Sequence, residues 1–211
     1  MKAILAFALL TQAAFGGVVL QVSMDTSPLI GNAAGPFQLD FQFTDGSGTS
    51  DGNNTVTVSG FNFGAGAASG TAIVSGGASG DLSSTVTLID NSFFNELTQG
   101  FTPGATLSFT LSMTTNVDPG VPDEFSFAIF DNSGFEIPTL GPGDAFLVSD
   151  ISSANPAAQL FASDTSRNAA AGVPIDLSAP AVQAPAAGVP EPSMLTIVAL
   201  ALGAIFLVRR R

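Results

Sequence analysis

Residues 37–43 read FQLDFQF, with Phe or Leu at every odd position and Gln or Asp at every even one. Successive side chains of a β-strand point to opposite faces of a sheet. This alternation therefore predicts a strand with one face in a core and the other in water. The same period of two recurs at 20–24, 107–113 and 125–129, and shorter apolar runs stand at 56–58, 72–74, 86–89 and 145–148.

Turn signals separate these runs. They are Asp-Gly, Gly-Gly and Pro-Gly pairs at 45–46, 51–52, 76–77, 103–104 and 119–120, and Gly-Pro-Gly at 141–143. No helical period of 3.6 residues precedes Met194. Many short strands with Gly and Pro turns predict an all-β domain, an antiparallel β-sandwich or jelly roll, over residues 17–168. Residues 60–80, rich in Gly, Ala and Ser, are read either as a flexible loop or as a pair of small-residue strands.

The composition limits the catalytic and metal sites that the chain can form. It has no Cys, His, Trp or Tyr. Catalysis by Ser-His-Asp or Cys-His groups, zinc sites built on His or Cys, and disulfides are therefore excluded. Without disulfides, the domain depends on its core, bound ions or partners for stability. The 18 Phe residues are read as core rather than as a sugar-stacking platform, which more often uses Trp or Tyr.

The charge is strongly negative, with a formal net value of −12. Lys2 and the arginines at 209–211 lie at the two ends, which leaves Arg167 as the only basic residue between them. Contacts to phosphate groups need Lys and Arg, so nucleic-acid binding is excluded.

The N-terminus has the order of a secretory signal peptide. A basic start at Lys2 is followed by an apolar block at 3–10, and small residues follow at Ala14 and Gly16. Such a block is too short to span a bilayer, which takes roughly 20 residues. The pattern predicts a signal peptide over 1–16, cleaved by signal peptidase after Gly16. The alternative is a buried first strand.

The C-terminus combines three features. Thr196 is the only polar side chain in residues 194–208. This segment would form a helix of roughly 22 Å at 1.5 Å per residue. Arg209, Arg210 and Arg211 follow at once, as the positive-inside rule expects of a cytoplasmic end. The pattern predicts a transmembrane helix rather than a buried amphipathic one, because no polar stripe recurs. Residues 169–188, rich in Pro and Ala, are read as an extended linker.

The order Pro190-Glu191-Pro192, apolar segment and terminal arginines resembles the PEP-CTERM sorting signal of Gram-negative surface proteins, here over 189–211. The resemblance implies that Pro190, Glu191 and Pro192 are recognised by the membrane protease exosortase. It implies a protein anchored in the inner membrane and then sorted to the cell surface or extracellular matrix, with exopolysaccharide as a candidate partner. Stretches 45–54 and 92–95 also resemble parts of other PEP-CTERM proteins, and bring no activity with them.

Two acidic stretches are candidate cation sites. In residues 45–54 (DGSGTSDGNN), Asp45, Asp51 and Asn53 alternate with glycine and hydroxyl residues, which suits a hard cation such as Ca²⁺. Ser47 and Thr49 stand where an EF-hand has acidic ligands, and no Glu closes the loop. The alternative is a solvated hairpin turn. The second candidate comprises Asp118, Asp123 and Glu124, with the same alternative of a solvated turn.

The sequence offers no defensible catalytic pair. Asp123 and Glu124 are adjacent, so on a strand their carboxylates point to opposite faces, which is poor geometry for glycoside hydrolysis. We therefore expect a non-catalytic structural or adhesive surface protein. The alternatives are a Ca²⁺-dependent carbohydrate-binding module and an enzyme acting on acidic polysaccharide, which would need two carboxylates facing each other in a cleft.

Overall fold

The computed structural model describes residues 17–47, 50–170 and 174–184. Within them, twelve strands form two antiparallel six-stranded sheets, with one short helix. The strands are β1 (Gly17–Asp25), β2 (Phe37–Thr44), β3 (Thr55–Asn62), β4 (Ala67–Ser75), β5 (Ala78–Gly80), β6 (Thr85–Ile89), β7 (Phe94–Thr102), β8 (Thr106–Thr114), β9 (Glu124–Phe130), β10 (Leu147–Asp150), β11 (Gln159–Leu160) and β12 (Ala181–Gln183). The helix is α1 (Thr165–Ala170), and 3₁₀ turns span Ser27–Leu29 and Pro142–Asp144.

The chain alternates between the two sheets. The first sheet has the order β12-β1-β8-β3-β6-β5 and the second β11-β10-β9-β2-β7-β4. From β1 to β4, each strand joins the sheet opposite that of the strand before it. Neighbours such as β1 and β8 are therefore far apart in sequence, and pairing depends on the whole domain rather than on local hairpins. The all-β, antiparallel prediction is confirmed.

Phe side chains from both sheets meet in the core. Phe41 of β2 is fully buried, and its ring centroid lies 5.3 Å from that of Phe127 and 5.6 Å from that of Phe109 on the opposite sheet. Phe109 and Phe127 are 5.3 Å apart in an edge-to-face arrangement. Such pairs add about 0.5–1.5 kcal/mol each beyond their buried area. The odd positions of 37–43 thus face inward, as their alternation predicts.

Residues 60–80 are strands rather than a flexible loop. They include the end of β3, all of β4 and all of β5. β4 is an edge strand, and its Ile73 is exposed. The tight turn between β4 and β5 needs Gly76, because its φ is +60° and a Cβ there would overlap the carbonyl oxygen of Phe94.

The folded domain extends beyond the predicted boundary at 168. Ile175 and Leu177 are buried in the core, and β12 pairs with β1 through Gln21 and Gln183. The backbone N–H of Leu177 donates to Oγ of Ser163 at 2.8 Å. Residues 174–184 are therefore part of the sandwich, which corrects the linker predicted over 169–188. The alternation there is too short to stand out among Pro and Ala residues.

One end of the sandwich gathers three connections. The segments between β2 and β3 (45–54), between β6 and β7 (90–93) and between β8 and β9 (115–123) all lie there, as the strand registers require. We call this the loop end. Gly17, paired with Thr114, is at the same end, and β12 runs toward it along β1.

The described residues contain no helix that is long and apolar enough to cross a membrane. Several predictions fall on residues outside the described ranges and stay predictions. These are the signal peptide over 1–16 with Ala14 and Gly16, the motif Pro190, Glu191 and Pro192, the helix at 194–208, and the tail Arg209, Arg210 and Arg211.

Candidate metal centre

Three aspartates from two connections meet at the loop end. One carboxylate oxygen each of Asp45, Asp118 and Asp123 lies within 4.8 Å of the other two. Oxygens bound to one Ca²⁺ at 2.3–2.6 Å are separated by up to roughly 5 Å, so this spacing suits a common ion. Asp45 and Asp123 are buried and Asp118 is half-buried. We call these three residues the aspartate cluster.

The backbone holds the cluster in place. The N–H of Gly46 donates to Oδ1 of Asp123 at 3.1 Å, and the N–H of Ser50 donates to Oδ2 of Asp45. A Cβ on Gly46 would overlap the carbonyl oxygen of Pro122, so only glycine allows the two loops to approach this closely.

Asn54 links the loops through its side chain. It is fully buried, and its Nδ2 donates to Oδ2 of Asp123 at 2.8 Å and to the carbonyl oxygen of Asn116 at 2.7 Å. Its Oδ1 accepts from the N–H of Asn116 at 2.9 Å and from the hydroxyl of Thr114 at 3.1 Å. The relative positions of the loops are thus set by hydrogen bonds within the protein.

Two buried oxygens beside the cluster have no hydrogen-bond donor among the described residues. They are Oδ1 of Asn53 and Oδ2 of Asp118. The amide of Asn53 donates instead to Oδ1 of Asp118 at 2.6 Å and to Oδ2 of Asp51 at 3.0 Å. A buried acceptor without a donor costs about 1–3 kcal/mol, and a bound cation is one way to satisfy it.

Asp90 adds a fourth carboxylate beside the cluster. It is 0% exposed, its Oδ2 accepts from the N–H of Asn54 at 2.9 Å, and its Oδ1 has no donor within the described part of the chain. Burial and the charge of Asp123 together raise the pKa of Asp90 to about 7, against the lowering effect of the hydrogen bond from Asn54. Asp90 therefore lies close to Asp123, beside the cluster.

Among the described residues, no basic side chain is available to balance the charge of the cluster. Burial raises the pKa of Asp118, and the charges of Asp123, Asp51 and Asp45 raise it further. Arg167, the one basic residue between Lys2 and Arg209, is bound to Asp144 with an Nη2–Oδ2 distance of 2.8 Å. A cation from solution would therefore favour the ionised form of the cluster.

The structure merges parts of the two predicted cation sites. Asp45 comes from the first candidate, and Asp118 and Asp123 come from the second. Asp51 is exposed and Asn53 half-buried beside the cluster, joined to it through the Asn53 amide. Glu124 is exposed on the outer face of its sheet and lies outside the cluster, as its adjacency to Asp123 predicts.

The sequence interpretation missed Asp90. It stands alone after the apolar run 86–89, and a single acid at a strand end is a weak signal. Asp90 interacts with Asn54 and Asp123, which are 36 and 33 positions away in the sequence. Only the fold brings these residues together.

An open cavity of about 360 Å³ lies beside the cluster, on the outer face of the second sheet. Its lining is mixed: Thr44, Gly46, Phe93, Val121, Pro122, Glu124 and Asp150. Glu124 and Asp150 are directly opposite on β9 and β10. Burial and the charge of Asp150 raise the pKa of Glu124.

A second acidic group lies on the outer face of the same sheet. Asp40 of β2 is fully buried there, its Oδ2 accepts from Gln42 at 2.6 Å, and its Oδ1 has no donor among the described residues. Burial raises the pKa of Asp40 to about 8, with further contributions from the charges of Glu96 and Glu136. A protonated Asp40 carboxyl facing Glu96 accounts for the oxygen without a donor.

Comparison of the chain with protein-family models, with curated proteins and with solved structures finds no match.

Proposed function

We propose that this chain is an exported, Ca²⁺-binding β-sandwich protein of the bacterial cell surface, with a structural or adhesive role and no catalytic one. The observation that carries the proposal is the convergence of Asp45, Asp118 and Asp123. Their carboxylate oxygens lie within 4.8 Å of one another, close enough to bind one ion. The buried oxygens without donors on Asn53 and Asp118 support it independently.

The donor set favours Ca²⁺ over other metals. All candidate ligands are carboxylate, amide or backbone oxygens, and the chain has no His or Cys for zinc or copper. Ca²⁺ accepts six to eight oxygens in flexible geometry, whereas Mg²⁺ demands a near-ideal octahedron and keeps several waters. A cluster drawn from irregular loops, with one member half-exposed to solvent, suits the larger ion.

The ion would stabilise an exported domain that has no disulfide. It would link the loop after β2 to the loop before β9. Each of these loops connects a strand of one sheet to a strand of the other, so the ion would hold the two sheets together. Loop-borne sites of extracellular modules bind Ca²⁺ with Kd of about 10⁻⁴–10⁻³ M. At 100 times its Kd, a ligand that binds only the folded state adds about 2.7 kcal/mol of stability.

Calorimetric titration of the full chain in mild detergent tests the proposal. We expect one Ca²⁺ per chain, much weaker binding of Mg²⁺, and at least a tenfold loss of Ca²⁺ affinity in Asp118→Asn, since about 1.4 kcal/mol is tenfold. Asp176→Asn, at an exposed acid distant from the cluster in the chain, is the matched control and should bind as the wild type does. No Ca²⁺ heat, or equal affinity in the two variants, would refute the site.

Export and anchoring are proposed from the two ends of the chain. Residues 1–16 carry the pattern of a signal peptide, with cleavage expected after Gly16. The proposed helix over 194–208 would leave nine residues, 185–193, between Ala184 and the membrane, or roughly 30 Å at full extension. The domain would then stand close to the inner membrane until exosortase cuts near Pro190-Glu191-Pro192, while Arg209 to Arg211 stay on the cytoplasmic side.

The intact mass of the protein from the cell surface and the medium tests this part. We expect an N-terminus at Gly17 and a C-terminus near Pro190. A chain that retains Met1, or that ends at Arg211 in every fraction, would contradict the sorting proposal and leave the Ca²⁺ proposal standing.

A Ca²⁺-dependent carbohydrate-binding module is the second candidate function. The cavity beside the cluster favours it, because Gly46 and Pro122 belong to the loops that hold Asp45 and Asp123. The strand order β1-β8-β3-β6 facing β2-β7-β4 supports a jelly-roll topology, which occurs in lectin domains. A glycan array without hits, with and without Ca²⁺, would remove this candidate.

A further inference from the structure

We propose that the cavity beside the aspartate cluster binds a hexosamine unit with a free, protonated amine. The inference deepens the carbohydrate-binding candidate of the proposed function and rests on it. It names the class of sugar and the residues that recognise it.

The amine would lie between two carboxylates. Glu124 and Asp150 are directly opposite in the antiparallel register of β9 and β10. Side chains at such positions have Cβ atoms about 4.5–5.5 Å apart, and like charges there destabilise the sheet. The one basic side chain of the described residues, Arg167, is held by Asp144. An ammonium group in the cavity would supply the missing counter-charge.

The rest of the lining suits the ring of a sugar. Phe93 and Val121 are 61% and 62% exposed, so their apolar surfaces are open to a ligand. With Pro122 they form an apolar wall on which the C–H face of a pyranose can pack. The cavity of about 360 Å³ lies in the range of small-ligand sites, about 300–1,000 Å³.

The same lining disfavours other ligands. Anionic sugars would meet two carboxylates and no cation. Neutral hexoses would donate hydroxyl hydrogen bonds to these carboxylates without balancing their charge. A lysine side chain would bring the ammonium, but its flexible stem covers less of the apolar wall than a rigid ring and loses more conformational entropy.

The cation should act on this cavity through its walls. Gly46 donates its N–H to Asp123, and Pro122 precedes Asp123 directly. Ca²⁺ at the cluster would hold both wall segments in their bound positions and so reduce the cost of ordering them. We therefore expect Ca²⁺ to strengthen sugar binding without being one of its ligands.

Titration of the full chain at neutral pH with a glucosamine trimer, its N-acetylated form and trilysine tests the proposal. We expect the free-amine trimer to bind at least about tenfold more tightly than the other two, since a hydrogen bond to a charged group contributes about 1.5–3 kcal/mol. Glu124→Gln, Asp150→Asn and Phe93→Ala should each weaken it by about tenfold. Asp176→Asn and Phe135→Ala, at an exposed acid and an exposed Phe, are the controls.

Equal binding of the acetylated trimer, or unchanged binding in Glu124→Gln and Asp150→Asn, would overturn the proposal. Trilysine binding as tightly as the sugar would also overturn it, because the cavity would then recognise amines in general. The titrations are run with Ca²⁺ and with EDTA. The two proposals can fail separately. If the protein binds no Ca²⁺ but binds the free-amine trimer in a way that depends on Glu124, the amine site is supported and the Ca²⁺ site is refuted.

Discussion

The side-chain amide of Asn54 donates a hydrogen bond of 2.8 Å to Oδ2 of Asp123, 69 residues further along the chain. Both residues are buried, and the bond joins the loop after β2 to the loop before β9. The aspartate cluster is therefore arranged by neutral donors before any ion arrives. Such preorganisation lowers the ordering cost of binding, although like charges remain close together in the ion-free protein.

Replacing Asn54 by Ala should weaken both the fold and the cation site. The substitution leaves Oδ2 of Asp123 and the carbonyl oxygen of Asn116 without this donor. We expect a loss of about 1–3 kcal/mol in the free energy of unfolding measured by urea in EDTA. Ca²⁺ affinity should also fall.

The matched control is Asn155→Ala, at an exposed residue of the segment between β10 and β11. Surface changes of this kind stay within about 0.5 kcal/mol. Equal effects of the two substitutions would mean that Asn54 does not organise the loop end.

The buried acid on the outer face of the second sheet should make stability depend on pH. The pKa of Asp40 is raised from 3.8 to about 8 in the folded chain, so the folded state holds this proton more tightly than the unfolded state does. The stability that this raised pKa contributes is fully present below about pH 4 and is lost as the pH rises through about 8. Asp40→Asn cannot ionise and should remove this dependence.

Urea unfolding in EDTA between about pH 5 and about pH 9 measures the effect. The stability of the wild type relative to Asp40→Asn should fall steadily up to about pH 8 and then level off. Asp176→Asn should follow the wild type throughout. Parallel curves for wild type and Asp40→Asn would show that Asp40 ionises normally.

The Phe core should dominate stability. Phe127 is fully buried and its ring contacts those of Phe41, Phe109 and Phe146. Phe127→Ala should cost about 3–5 kcal/mol of unfolding free energy, from lost burial and the cavity left behind. Phe135→Ala, at a side chain that is 69% exposed, should change it by less than about 0.5 kcal/mol. Similar losses of stability in Phe127→Ala and Phe135→Ala would contradict the inward orientation of Phe127 on β9.

The segment 174–184 should behave as part of the domain. Leu177 is fully buried and its N–H is bonded to Ser163. Leu177→Ala should therefore cost about 2–5 kcal/mol in urea unfolding of the full chain. Asp176→Asn, at the exposed neighbour, should be neutral. A neutral Leu177→Ala would restore the interpretation of this segment as a free linker.

Much of the sandwich follows from the sequence because period-two alternation reports burial directly. FQLDFQF became a central strand, and 107–113 and 125–129 became β8 and β9. The short apolar pattern of Ile175 and Leu177 was hidden by Pro174 and Pro180. Asp40 departs from the pattern in a different way, since this polar residue on the outer face is nevertheless fully buried.

The cation site was predictable only in pieces. Asp45 was a candidate within the stretch 45–54, and Asp123 was a candidate with Asp118 and Glu124. Their meeting depends on the pairing of β2 with β9, which joins residues about 80 positions apart and which local pattern does not determine. Asp90 entered the site for the same reason.

A crystal structure of the chain grown with Ca²⁺, with an anomalous difference map, tests the central claim most directly. The account predicts one peak at about 2.3–2.6 Å from carboxylate oxygens of Asp45, Asp118 and Asp123, with the formerly unsatisfied oxygens of Asn53 or Asp90 turned toward the ion or its waters. A map without a peak at saturating Ca²⁺, with the three carboxylates arranged as they are without it, would contradict the account.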